Sequence, residues 1–85
     1  MTTIPLRVMV LDVWQEFGFQ VAPDLPLAEL KSRALRAARV TRPPEGYLVK
    51  FRGAELAEQG RTVADAGLVP NAALIVLPRR RTPVY

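Results

Sequence analysis

The hydrophobic period changes between residues 21 and 27, and that change decides what this chain can fold into. Phe17, Phe19 and Val21 alternate with Gly18 and Gln20, the period of two that marks a half-buried strand. From Leu27 the spacing lengthens, and Leu27, Leu30, Ala34 and Ala37 or Ala38 recur at helical intervals. Asp24 can cap such a helix and Pro26 suits its first turn. The spacing predicts a helix over residues 27–40. "TRPPEG" stops it, because consecutive prolines disfavour helical geometry in the residue before them and supply no amide donors.

Four further segments complete the pattern. "LRVMVLDV" (6–13) is apolar and β-branched, and "WQE" is short enough to turn it into a hairpin with the strand at 17–22. "YLVKF" is a third strand, closed by Arg52-Gly53, residues 54–73 hold only short turns, and "AALIVL" is the last strand. The order is β-β-α-β-β. A hairpin cannot bury both of its faces, so the helix must cover one. The first and last strands are expected to be central neighbours, in a parallel pairing that the long intervening crossover permits. Residues 1–78 form one domain on this reading, and residues 79–85 a basic, mobile tail.

Composition removes most chemistry. The 85 residues include no Cys and no His, so thiolate chemistry, the commonest general base and the commonest metal ligand are all missing. Ser32 is the only serine, on a helix and without a His to activate it. No Gly-rich loop precedes a helix as a phosphate cradle would. No cofactor, metal or catalytic residue is expected. No apolar run approaches the ~20 residues of a membrane span, and the start of the chain lacks a basic n-region and a small-residue cleavage site. A cytoplasmic setting suits a chain without cysteines.

Three motifs then occur in order. They are "VAPDLPLAELKSRA", "RPPEGYLVKFRGAEL" and "GRTVADAGLVPNAAL". The chain from about Leu6 to Leu77 resembles ubiquitin and its relatives, the β-grasp family. Pro23, Leu27, Leu30 and Lys31 look like that family's passage from second strand to helix. Pro43, Pro44, Val49, Phe51, Gly53 and Leu56 look like its proline pair, third strand and glycine turn. Gly60, Arg61, Thr62, Val63, Asp65, Leu68 and Leu74 look like the connection into its last strand. The resemblance implies an α+β fold, a mixed four- to five-stranded sheet packed on one helix. Val63 and Leu68 are expected to tuck into the core, and Asp65 to satisfy local backbone donors.

The resemblance also sets the function classes. Modifiers and sulfur carriers of this family end in two glycines, whereas no glycine follows Gly67 in "LPRRRTPVY". A non-catalytic protein–protein interaction module is therefore the leading expectation. It is most similar to the small ubiquitin-like proteins associated with bacterial type VII secretion, on size, tail and Ala/Arg-rich character. A modifier or sulfur carrier with an atypical C-terminus is the alternative.

With Leu6, Val8, Val10, Val49, Phe51, Leu74 and Val76 facing inward, alternation places Met9, Leu11, Leu48, Lys50, Ile75 and Leu77 on the open face of the sheet. Five apolar side chains gathered there would make a contiguous docking surface for a protein partner or a second copy. Lys50 stands where the family's best-known binding patch carries an apolar residue, so ordinary ubiquitin receptors are expected to bind poorly.

Net charge is +4, and eight of the twelve basic residues fall in two segments. Arg33, Arg36, Arg39 and Arg42 step by three along the expected helix, beside Lys31, and Arg79, Arg80 and Arg81 form the second cluster. The first is read as a solvated face suited to a helix C-terminus. The weaker alternative is an anionic partner such as nucleic acid, although neither cluster is interleaved with aromatics, Trp14 and Tyr47 being the nearest. Lys31 follows Leu30 and is expected to be partly buried, paired with a carboxylate such as Asp65 or Glu55.

Overall fold

Alternation builds the first hairpin. In the computed structural model, which describes residues 3–79, β1 (Ile4–Val10) buries Leu6, Val8 and Val10. β2 (Gln15–Val21) pairs with it antiparallel, Ile4 opposite Val21 and Val10 opposite Gln15. Both strands sit earlier in the chain than residues 6–13 and 17–22. The chain reverses over residues 11–14, where the Val13 and Trp14 amides donate to the Val10 and Leu11 carbonyls (3.3 and 3.2 Å) and Trp14 takes φ 51°. Leu11 and Val13 look like strand residues in composition, which conceals a turn made by the backbone.

The helix α1 (Leu27–Ala37) buries Leu27, Leu30, Lys31, Ala34 and Leu35 along one face. Pro26 is its N-cap and no side chain caps it, so Asp24 does not play that part. A backbone segment much later in the chain does: the Leu27 amide donates to the Arg61 carbonyl at 2.9 Å, while the Val63 amide donates to Leu25 at 2.9 Å and the Ala64 amide to Pro23 at 2.8 Å. Residues 61–64 thus run beside 23–27 and occupy a helix-end donor that would otherwise be orphaned.

The helix ends before residue 40. Arg39 adopts φ 61°, its amide donates to Arg36, and the Val40 amide donates to Leu35 at 2.9 Å. That pair of bonds is a Schellman motif, with arginine at the left-handed position usually held by glycine. The apolar spacing continues past the helix because Ala38 and Val40 still pack against the core.

After one turn of 3₁₀ helix at Pro44–Gly46, β3 (Tyr47–Phe51) and the two-residue β4 (Ala54–Glu55) form a second antiparallel pair. β4 lies within the stretch expected to hold only turns. β5 (Ala72–Pro78) then inserts between the halves, parallel to β1 and antiparallel to β3, for a five-stranded order β2-β1-β5-β3-β4. The connection from β4 to β5 is scaffold. Val63 and Leu68 are buried in the core. The Thr62 amide donates to Asp65 Oδ2 at 3.0 Å, and the Asp65 amide to Thr62 Oγ1 at 3.2 Å.

Candidate functional site

The register assembles the open face row by row. Met9 lies opposite Ile75, and Ile75 opposite Lys50. Extended outward, this row runs Glu16, Met9, Ile75, Lys50, Glu55 across all five strands. In the next row Leu77 lies opposite Leu48, and the Leu11 amide donates to the Val76 carbonyl at 3.0 Å, which holds Leu11 beside Leu77. All six residues expected on the face are therefore brought together. Only Ile75, 40% exposed, projects freely. Met9, Leu11, Leu48, Lys50 and Leu77 are half-buried, because side chains on adjacent strands shield one another at this spacing.

Charge frames the apolar centre. Arg7 lies 3.8 Å from Glu16 on the β2 side, and Arg79 lies 3.3 Å from Glu55 on the β4 side. Lys50, between Ile75 and Glu55, has no ion-pair partner within 4 Å among the described residues. The face offers two apolar rows and one uncommitted cation. It can hold apolar side chains and one acid of a partner.

The arginine cluster does not form a single helical face. Only Arg33 and Arg36 lie on α1, and Arg33 pairs with Glu29 one turn back at 3.4 Å. Arg39 occupies the left-handed position just after the Ala38 C-cap, and Arg42 lies beyond the helix, 3.9 Å from Asp12. Arg79, the first residue of the expected tail, is tied down: its amide donates to Gly46 at 2.7 Å and its Nε to Glu45 at 2.9 Å. Arg80 and Arg81 lie outside the described residues.

Two buried polar groups hold this end of the sheet. Lys31 is buried as expected, but its partner is Glu58 at 2.8 Å rather than Asp65 or Glu55, and it also donates to the Tyr47 carbonyl at 2.9 Å. Asp65 is occupied by Thr62 and Glu55 by Arg79. Tyr47 is a core residue, 2% exposed, and no stacking platform. Its phenol donates to Asp12. Burial first, and then that bond and the charge of Asp12, push the phenol above its ordinary value, while Arg42 pulls the other way. Sequence reasoning missed the Tyr47–Asp12 link, and 35 residues of separation leave no local signal for it.

Among the described residues no helix is long and apolar enough to cross a membrane. No protein-family model matches the sequence, and no curated protein does. Solved structures match well in shape. The ubiquitin of Caldiarchaeum subterraneum superposes with a TM-score of 0.77 at 12% identity, over 95% of this chain and 99% of that one. A designed protein based on ubiquitin gives 0.78 at 19%, over 98% and 96%. The ubiquitin-like domain of an Arabidopsis thaliana protein gives 0.77 at 16%, over 100% and 86%. The fold is ubiquitin-like. In this ubiquitin-like frame the helix covers one face of the sheet, and the surface of Met9, Leu11, Leu48, Lys50, Ile75 and Leu77 is the other.

Proposed function

We propose that the chain is a non-catalytic ubiquitin-like module that binds a protein partner through the open face of its sheet. The observation that carries this is the register, which places Met9, Ile75 and Lys50 in one row and Leu77 and Leu48 in the next. A preformed apolar centre with a charged rim is the usual anatomy of a small docking surface. The partner segment that suits it brings apolar side chains over Met9, Ile75, Leu48 and Leu77 and an acid to Lys50. Lys50 works against receptors built for an all-apolar patch.

The same reading extends to setting. From its Ala/Arg-rich character and the lack of an adjacent glycine pair in its sequence, features that resemble the ubiquitin-like accessories of bacterial type VII secretion, we infer a cytoplasmic accessory role of that kind.

The test compares affinity capture from the native lysate by wild type and by the Ile75→Asp and Leu48→Asp variants, each checked for native folding by circular dichroism. A partner retained by wild type and lost by both variants supports the proposal. Equal recovery by folded variants refutes it.

A further inference from the structure

The β1–β2 turn carries a residue that the fold does not use. Trp14 is 77% exposed, beside Val13 at 42%. Its φ of 51° lies in the left-handed region, which costs a bulky L-residue roughly 1 kcal/mol and a glycine almost nothing. The tryptophan thus adds strain to the turn and leaves an indole in water, with no return inside the monomer. Strain of this kind persists where another interaction depends on it.

The complement lies at the same end of the molecule. Arg42, Pro43, Glu45, Gly46, Tyr47 and Pro78 line a hollow of about 580 Å³. Asp12, two residues before Trp14, accepts the Tyr47 phenol and lies 3.9 Å from Arg42, so the turn stands at the rim of this hollow. Two proline rings and a guanidinium that is 74% exposed are apolar and cationic surfaces of the kind an indole stacks on.

We propose that Trp14 anchors a reciprocal self-association, in which the turn of each copy enters the hollow of the other. A knob and a hole side by side on one end of a chain satisfy a two-fold axis, which uses both twice and closes the assembly. Charge permits it. The net charge is +4, but among the described residues around the hollow Arg42 lies 3.9 Å from Asp12 and Arg79 3.3 Å from Glu55, and Glu45 adds a further acid to the lining. Among the described residues this end presents no excess of positive charge to a second copy of itself. The contact is small, so the dimer is weak and populated at high concentration.

Trp14 is the only tryptophan in the sequence, so its own fluorescence reports the event. In a concentration series of the full chain, emission should move to shorter wavelength in step with the dimer fraction measured by sedimentation velocity. Trp14→Gly should weaken the dimer by about tenfold or more, as loss of a buried aromatic anchor does, while thermal stability holds or rises. Gly46→Leu fills the hollow from a position where an added Cβ meets nothing within 4 Å, and it should suppress both the shift and the dimer with Trp14 still present. Ile75→Asp and removal of residues 80–85 should leave both unchanged, which separates this contact from the open sheet face and from the end of the chain. A monomer with long-wavelength emission at every concentration overturns the proposal. So does a dimer whose emission does not move, one indifferent to Gly46→Leu, or one abolished by Ile75→Asp or by removal of residues 80–85.

Discussion

The ammonium of Lys31 lies 2.8 Å from Glu58 Oε1 and 2.9 Å from the Tyr47 carbonyl, so one charge ties α1 to the start of β3 and to the loop after β4. The side chains of the ion pair are only 5% and 13% exposed. Removing one partner of such a pair strands the other away from water. Glu58→Ala should destabilise the fold by about 3 kcal/mol, whereas the double change Lys31→Met with Glu58→Met should recover much of that, because apolar replacement removes both desolvation costs together. Urea denaturation of the two variants checks this.

Tyr47 links the sheet to the β1–β2 turn through Asp12. Tyr47→Phe keeps the buried ring and removes a hydrogen bond to a charged acceptor, so a loss of about 1.5–3 kcal/mol is expected. The pH dependence follows from the raised phenol. Above the ordinary value of 10.0 the unfolded chain releases this proton while the native chain still holds it. The stabilisation is therefore complete below that value and is lost as pH climbs toward the higher native one. Thermal melts across the alkaline range should fall more steeply for wild type than for Tyr47→Phe.

Arg39 occupies a backbone position that favours glycine, and its side chain is exposed. Arg39→Gly should raise stability by about 1 kcal/mol by relieving the left-handed strain of the Schellman motif. A gain in the denaturation midpoint with an unchanged slope is the expected result.

Leu74 and Ile75 are neighbours on β5 with opposite surroundings, 1% and 40% exposed. Leu74→Ala should cost about 3 kcal/mol by opening a cavity against the helix. Ile75→Ala, on the open face, should cost under about 1 kcal/mol. Comparable losses at the two positions would mean that a second layer covers the open face.

Much of this architecture could be read from residue spacing, and the exceptions share a cause. Phe17, Phe19 and Val21 against Leu27, Leu30 and Ala34 announced strand and helix, because burial on one side imposes a period whatever the distant partners are. Val63, Leu68 and Asp65 followed from the motif around them. Inward and outward sides of β1, β3 and β5 followed from alternation alone, which placed Met9, Lys50 and Ile75 on one face. Their meeting in one row depends on hydrogen-bond register, where a slip of one residue reverses every side chain. A charge count does not choose the partner of Lys31, because Glu55, Glu58 and Asp65 are carboxylates at comparable distances along the chain and only the fold brings Glu58 to the ammonium. The helix ends at Ala37, short of the apolar spacing, and the arginine at the left-handed position carries none of the signal that glycine would. Asp24 looked like a cap, but the donor it would have served was taken by the Arg61 carbonyl, a contact visible only in three dimensions.

The place of β5 between β1 and β3 has a consequence for synthesis. A nascent chain that has emerged only as far as residue 71 holds two hairpins and a helix, each with an apolar side and no common centre. The ribosome must deliver residues 72–78 before the pieces can lock. Folding should therefore be a late, single event, and any stalled or nicked chain short of that strand would be a substrate for chaperones or proteases.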